Sequence, residues 1–266
     1  MKKGMIIEGI VEKTDFPNKG RVRTSEGMVT VKNVLPGQRI SLSVTKARNS
    51  RYEGRLLEVL EPSPEETKEP CCNVFGACGG CAYQTLPYEA QLCLKERKVR
   101  DLMKSVYENE ADFYEGISGS PVAMGYRNKM EYSFGDEYKD GPLSLGMHKK
   151  GSFYDVLTVD RCALVHPDYN KVLRYTLDFY KEKNLDYYHK MTREGCLRNL
   201  LVRRSLHRIN EVSNPELMVC LVTTSGYELY LEEWKQGLFE LELEAELKSI
   251  ISMINDGLAD VVKCDS

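Results

Sequence analysis

Residues 72–81 have the sequence Cys72-Asn73-Val74-Phe75-Gly76-Ala77-Cys78-Gly79-Gly80-Cys81. Three thiolates placed this closely can reach one metal centre, because the glycines let the backbone approach the ligands. The spacing C-x5-C-x2-C therefore predicts a metal site. Structural zinc and an iron–sulfur cluster are the two main alternatives, since both accept thiolate ligands. Buried thiols without a metal are the third.

A zinc site or a cluster of this kind needs a fourth thiolate. On counting alone the candidates are Cys93, Cys162, Cys196, Cys220 and Cys264. Cys71 adjoins Cys72 and could replace it in another register. Spacing does not choose among these cysteines.

The segment before the cysteines predicts a small β-barrel. Short β-like runs separated by turn residues are found at Ile6 to Val11, Arg21 to Thr24, Met28 to Val31, Ile40 to Lys46 and Arg55 to Leu60. A closed barrel leaves no strand edge unpaired, and an OB-like barrel is the simplest closed arrangement of five strands of this size. We place this barrel at residues 1–61. Three prolines and three glutamates then mark residues 62–70 as a linker.

The segment after the cysteines, within residues 71–266, predicts an α+β domain. Pro87 opens a helix to about Glu108 that has one apolar stripe, and His166-Pro167 opens a second helix to about Lys183. A hairpin is predicted around Asp140-Gly141. Further strands are expected at Leu197 to Arg204 and Leu217 to Thr224, with a third helix at Glu232 to Asn255.

Charge is distributed unevenly along the 266 residues. The formal net charge is −3, yet residues 1–60 hold 12 Lys and Arg against 6 Asp and Glu, whereas residues 211–266 hold 3 against 12. A basic barrel suggests a polyanionic partner such as RNA, although a solvated charged surface fits the charge count equally well. The acidic end is given no function.

Composition and hydropathy exclude several classes of protein. With 42% hydrophobic and 29% charged residues the chain is neither disordered nor fibrous. No apolar run reaches the roughly 18 residues of a membrane span, and the start Met1-Lys2-Lys3-Gly4-Met5-Ile6-Ile7-Glu8 reaches a charge too early for a signal peptide. We therefore expect a cytoplasmic protein without membrane contact, whose nine cysteines are thiols or metal ligands rather than disulfides.

Residues 72–84 resemble the SAM-dependent RNA uracil-C5 methyltransferases of the 23S rRNA type. The other matching segments follow in the order of that family: Val34-Leu35-Pro36-Gly37-Gln38, Ser63-Pro64, Tyr88, Gln91, Lys95, Val99, Gly125-Tyr126-Arg127-Asn128-Lys129, Arg161 to Pro167, and Arg193 through Arg203. The resemblance implies that the barrel is an RNA-binding TRAM domain and that residues 71–266 form an iron–sulfur and RNA-recognition domain.

The resemblance also implies the cofactors and the chemistry. A [4Fe–4S] cluster would be held by Cys72, Cys78, Cys81 and Cys162. In this family a cysteine thiolate adds to C6 of a flipped-out uracil, C5 attacks the methyl group of S-adenosylmethionine, and a carboxylate removes the C5 proton. The implied substrate is RNA, and rRNA in particular.

The family's catalytic motifs are not found in these residues. No G-x-G-x-x-G occurs, and Cys264 does not match the nucleophile motif. We therefore expect that the Rossmann-like methyltransferase domain, which binds S-adenosylmethionine, is absent from this chain, and that the chain alone has no catalytic residue and is inactive. The stripe of helix 87–108 would then pack on that domain, supplied in trans, or form a dimer. The alternative is a stand-alone RNA-binding iron–sulfur protein that responds to redox state.

Basic residues in both parts are candidate RNA contacts, since arginine and lysine bind phosphate. They are Lys19, Arg21 and Arg23 in the barrel, and Arg127, Lys129, Arg198, Arg203 and Arg204 in the α+β domain. Solubilising surface charge is the alternative for each of them.

Overall fold

The computed structural model describes residues 1–104, 106–107, 114–205 and 214–259. These form two compact units, of which the first joins Met1–Pro70 with Ala82–Pro121 and the second joins Cys71–Cys81 with Val122–Ser266. The division differs from the boundaries drawn from sequence, because the segment that contains the first helix groups with the barrel. Glu108, Arg208 and Cys264 lie outside the described residues.

The first unit contains a closed five-stranded β-barrel, which confirms the predicted strand count. The strands are β1 (Ile6–Asp15), β2 (Lys19–Thr24), β3 (Gly27–Lys32), β4 (Arg39–Arg48) and β5 (Arg51–Glu61), joined in the order β1-β2-β3-β5-β4. Alternating aliphatic side chains fill the interior: Val11, Val22, Val29, Val31, Val34, Ile40, Leu42 and Val44. Because the barrel is closed, the two strands that would be edges of an open sheet are both paired, as a barrel of this size requires.

The segment after the barrel is fixed by the Glu66 carboxylate. Its Oε2 accepts hydrogen bonds from the Gln38 side chain at 2.8 Å and from the Ser63 backbone N–H at 2.7 Å. Its Oε1 accepts one from the Thr85 hydroxyl at 2.7 Å. Gln38 in turn accepts the Leu35 N–H at 2.9 Å. The proline-rich segment predicted to be a linker is therefore bonded to the barrel.

The first helix, α1, spans Tyr88–Met103 and follows Pro87, as predicted. Leu94 packs with Leu35 and Leu86 of the same unit. Val99 and Leu102 on the helix remain exposed. The proposed contact of this exposed stripe with a catalytic domain or with a second copy stays a prediction.

The second unit is a six-stranded mixed sheet with two helices. Its elements are β6 (Lys129–Asp136), β7 (Leu143–His148), β8 (Val156–Thr158), α2 (Pro167–Glu182), β9 (Leu197–Arg204), β10 (Glu216–Thr223), α3 (Leu231–Phe239) and β11 (Glu246–Ile254). The strand order is β11-β10-β9-β6-β7-β8. The hairpin around Asp140-Gly141 is confirmed as β6 and β7, and helix α2 begins after the capping residue His166, as predicted. Together the two units confirm the α+β class.

One face of the sheet packs against the helices to form the core of the second unit. Tyr132, Leu200 and Leu221 from the strands meet Leu173 of α2 and Trp234 of α3. All five are at most 1% exposed. At roughly 25 cal/mol per Å² of apolar area removed from water, this burial is the main stabilising contribution in the unit.

The prediction of a third helix from Glu232 to Asn255 is wrong in its second half. Helix α3 ends at Phe239, and Glu246–Ile254 forms the edge strand β11, which pairs in parallel with β10. The apolar residues of this stretch satisfy helical spacing, but three of them are the β-branched Ile250, Ile251 and Ile254. Such side chains favour strands, and the open edge of β10 supplies backbone partners.

Within the described residues, no helix is long and apolar enough to cross a lipid bilayer.

Replacing Glu66 with alanine tests its role in the first unit. The variant loses three hydrogen bonds to a carboxylate, and we expect the free energy of unfolding to fall by about 3 kcal/mol. Chemical denaturation measured by circular dichroism would show it. Glu65→Ala is the matched control, because Glu65 is exposed next to Glu66. Equal stability of the two variants would contradict the assignment.

Candidate functional site

The cysteine loop, residues 71–81, is a compact turn of the second unit. Phe75 N–H donates to the Cys72 carbonyl at 3.1 Å, and Cys78 N–H donates to the Val74 carbonyl at 2.9 Å. Gly76 lies between them with φ +86°, a conformation that favours glycine. Val74 and Cys78 pack against the core of the sheet. The turn therefore holds Cys72 and Cys78 on one short piece of backbone.

Main-chain pairing attaches the cysteine loop to the end of β7. Cys78 forms an isolated antiparallel bridge with Lys149. Gly79 N–H donates to the His148 carbonyl at 3.3 Å, and Lys150 N–H donates to the Ala77 carbonyl at 2.7 Å. The position of the thiols is thus set by backbone hydrogen bonds on both sides of Cys78.

Cys162 is positioned by helix α2. Its N–H donates to the Asn170 side-chain oxygen at 3.1 Å, and the Asn170 amide donates back to the Cys162 carbonyl at 3.2 Å. This reciprocal pair fixes the Cys162 backbone to the first half of the helix. Asn170 is not among the residues predicted from sequence, because no motif distinguishes an asparagine that orients a distant cysteine.

The structure brings the thiols of all four predicted ligands into one region. Burial raises the pKa of the Cys162 thiol, a hydrogen bond from the Leu164 backbone lowers it, and the nearby thiols of Cys72, Cys81 and Cys78 raise it further. All four cysteines are partly buried thiols. Among the described residues, no three His, Cys, Asp or Glu side chains are arranged closely enough to hold a metal ion. Ligation by these cysteines therefore stays a prediction.

A buried hydroxyl beside Cys162 fits a further group at this position. Tyr132 is 0% exposed, and its hydroxyl has no hydrogen-bond partner in the described part of the chain. Burial raises its pKa well above the usual range, and the neighbouring Cys162 thiol adds to this rise. An unsatisfied buried hydroxyl costs about 1–3 kcal/mol, which a sulfur acceptor would offset. In their chemistry, the four cysteine thiols and a hydroxyl donor beside Cys162 suit an iron–sulfur cluster.

The other described cysteines occupy different surroundings. Cys196 is buried, its thiol donates to the Asp186 carbonyl at 3.7 Å, and burial raises its pKa to about 11. Cys220 is buried in β10 with Leu201 and Val222. Cys93 is exposed on α1 in the first unit. Of the described candidates for a fourth ligand, Cys162 is the one whose thiol interacts with the cysteine loop.

The predicted basic residues of the barrel lie on β2. Arg21 bonds Asp15 at 2.6 Å, and Arg23 bonds Glu12 at 2.6 Å. Lys19 is exposed at the start of the strand. Surface ion pairs of this kind contribute about 0–1 kcal/mol, so a phosphate can compete for both arginines.

In the second unit, Lys129 and Arg203 lie directly opposite each other on β6 and β9. Both are exposed, and partners in an antiparallel pair project from the same face of the sheet. Arg127, just before β6, is partly buried and contacts the Met130 sulfur at 3.6 Å. Arg204 is ion-paired with Glu244 at 3.0 Å.

Arg198, also among the predicted RNA contacts, is held by backbone carbonyls. It is 4% exposed, and its guanidinium donates to the Asn255 carbonyl at 2.6 Å, the Gly257 carbonyl at 2.5 Å and the Ala259 carbonyl at 3.2 Å. Its guanidinium also lies 4.6 Å from the ring centre of Tyr188. These bonds tie β9 to the chain that follows β11. Arg198 therefore contributes to the fold, and its predicted contact with RNA stays a prediction.

A solved structure shares this fold. The crystal structure of Pyrococcus abyssi tRNA (uracil-54, C5)-methyltransferase in complex with S-adenosyl-L-homocysteine superimposes with a TM-score of 0.66 at 20% sequence identity. The match covers 96% of this chain and 53% of that one. The described fold therefore corresponds to about half of that structure.

Two bacterial proteins are similar in sequence to the whole length of this chain. A Clostridium tetani protein described as an uncharacterized RNA methyltransferase is 40% identical over 266 residues, which are 100% of this chain and 56% of the relative. A Clostridium acetobutylicum protein with the same description is 39% identical over 265 residues and is covered to the same 56%. No family model matches the chain. The chain is related to RNA methyltransferases and spans about half the length of these relatives.

Two substitutions distinguish the buried Arg198 from the exposed Arg203. Arg198→Met removes three part-buried hydrogen bonds from a buried guanidinium to backbone carbonyls, and we expect a loss of about 3 kcal/mol in the free energy of unfolding. Arg203→Met removes an exposed side chain and should change stability by less than about 0.5 kcal/mol. Thermal and urea denaturation would measure both values. A stable Arg198→Met protein would contradict the structural role.

Proposed function

We propose that this chain is the RNA-recognition and iron–sulfur portion of a SAM-dependent RNA uracil-C5 methyltransferase that acts on rRNA. The observation that carries the proposal is similarity to curated RNA methyltransferases over all 266 residues at 40% identity. The basic barrel and the grouped thiols are two features that such a portion needs. S-adenosylmethionine and the methyl transfer belong, in this proposal, to the part of the relatives that the match does not cover.

Specificity for uracil C5 rests on two observations. The cysteine-loop sequence resembles that of the uracil-C5 enzymes, and the solved structure with the same fold is a tRNA (uracil-54, C5)-methyltransferase. The preference for rRNA rests on the sequence resemblance alone. We assign no catalytic residue within the described chain.

The proposed cofactor is a [4Fe–4S] cluster on Cys72, Cys78, Cys81 and Cys162. When bound, it would supply a rigid cross-link between the cysteine loop and the segment before α2. Transfer of a methyl group from a sulfonium requires no net electron, so we expect a structural role. Tyr132 would donate its hydroxyl hydrogen to a sulfur atom, and Asn170 would keep the Cys162 backbone in place.

The proposed RNA contacts are distributed over both units. They comprise Lys19, Arg21 and Arg23 of the barrel, with Arg127, Lys129, Arg203 and Arg204 of the second unit. The TRAM-type barrel would follow the phosphate backbone, since lysine and arginine supply most of the sequence-independent affinity for nucleic acid. Arg198 is left out because its donors are taken by backbone carbonyls.

Cluster binding can be tested by anaerobic reconstitution with iron and sulfide. We expect the protein to take up iron and sulfide in equal amounts and to gain visible absorbance from thiolate-to-iron charge transfer. Cys162→Ser should abolish this uptake because one of the four ligands is removed.

Cys93→Ser is the control for that experiment. Cys93 is an exposed cysteine of the first unit, and its replacement should leave uptake unchanged. Uptake of one zinc ion per chain, without sulfide, would establish a zinc site instead. Full uptake by Cys162→Ser would contradict the ligand set.

RNA binding can be tested with a single-stranded rRNA fragment at several salt concentrations. Neutralising Lys19, Lys129 and Arg203 with glutamine should weaken binding and reduce the slope of log affinity against log salt by about 0.7 for each phosphate that is no longer neutralised. Lys139→Gln is the control, because Lys139 is an exposed lysine in the turn between β6 and β7 that neighbours Asp140. An unchanged slope in the triple variant would contradict these contacts.

A further inference from the structure

Two neighbouring aromatic side chains are exposed between β7 and β8. Phe153 is 91% exposed and Tyr154 is 71% exposed. We call residues 149–155 the aromatic turn. A single exposed aromatic residue is common on soluble proteins, but an adjacent pair that contributes nothing to the core indicates a contact surface. The proposed RNA contacts do not include either residue.

The aromatic turn is held in shape by its own hydrogen bonds. The Ser152 hydroxyl accepts the N–H groups of Tyr154 at 3.2 Å and Asp155 at 3.1 Å. Ser152 N–H donates to the Lys149 carbonyl at 3.0 Å, and Lys149 N–H donates to the Asp155 carbonyl at 2.9 Å. The rings therefore project from an ordered turn, and little conformational entropy is lost when they bind a ligand.

Charge decides which ligand fits these rings. The turn carries Lys149 and Lys150 against one acid, the partly buried Asp155. Tyr138, in the turn between β6 and β7, is also exposed, but its charged neighbours are the acids Glu137 and Asp140 and one lysine, Lys139, which is paired with Asp140 at 3.8 Å. Lysine beside exposed aromatic rings favours a polyanion that has planar groups, whereas the acidic neighbours of Tyr138 repel one.

We propose that the aromatic turn is a stacking site for unpaired bases of single-stranded RNA. Phe153 and Tyr154 provide the ring faces, and Lys149 and Lys150 attract the adjoining phosphates. This inference rests on the proposed RNA-binding function and adds a base-binding site to it. The turn is also joined to the cysteine loop through the pairing of Cys78 with Lys149. The turn that would stack a base and the loop that is predicted to bind the cluster are therefore joined by backbone pairing.

A tryptophan reporter tests the stacking directly. We expect the fluorescence of Phe153→Trp to be quenched when a single-stranded RNA oligonucleotide is added, because a stacked base quenches indole. The native Trp234 is 1% exposed and gives a constant background. Tyr138→Trp is the matched control, and its fluorescence should not respond. A duplex of the same sequence should quench Phe153→Trp much less, since its bases are already stacked.

Affinity gives a second measurement. The Phe153→Ala, Tyr154→Ala double variant should bind the oligonucleotide about 10-fold more weakly, as expected when base stacking is removed. Its thermal stability should be unchanged because both side chains are exposed, and Tyr138→Ala should bind like the wild type.

The outcomes separate the two proposals. A wild-type protein that binds no RNA would overturn the proposed function. A wild-type protein that binds RNA, together with a double variant of equal affinity and an unquenched Phe153→Trp, would overturn the stacking site alone. A double variant that changes the oligomeric state at unchanged RNA affinity would also overturn it, and would indicate a protein contact instead.

Discussion

The backbone pairing between the cysteine loop and the end of β7 is the constraint on which the candidate site depends. The chain leaves the first unit after Pro70, forms the loop of residues 71–81 within the second unit, and returns to the first unit at Ala82. The loop is too short to have a core of its own. It takes its position from hydrogen bonds to His148 and Lys150 and from the burial of Val74. Cys162 then completes the group through Asn170.

The fold could be predicted where local pattern and tertiary environment agree. The barrel strands alternate apolar and polar residues, and each is bounded by turn residues, so their number and order followed from the sequence. Helix α2 has a proline at its start and a capping histidine before it. The prediction for residues 246–254 was wrong because helical and strand spacing overlap there, and the open edge of β10 decides between them. Such pairing depends on a strand that is distant along the chain, which periodicity does not report.

The candidate site could be predicted only as a set of residue types. The three cysteines of the loop are marked by their spacing, and the resemblance added Cys162. Tyr132 and Asn170 carry no such mark, because each acts through an interaction that only the folded sheet creates. The sequence does not distinguish one arginine of β9 from another, whereas the structure shows that Arg198 is buried and Arg203 is exposed. The Phe153-Tyr154 pair, flanked by glycine, serine and lysines, was a signal that the sequence did offer.

The attachment of the cysteine loop also sets an order of events during synthesis. Cys78 leaves the ribosome about 70 residues before His148, and about 90 residues before Asn170. At a synthesis rate of about 5–20 residues per second, several seconds pass between synthesis of the loop and synthesis of the strand and helix that hold it. During that interval the thiols of the nascent chain are exposed to oxidants and to stray metal ions. Delivery of the proposed cluster would therefore depend on timing as well as on affinity.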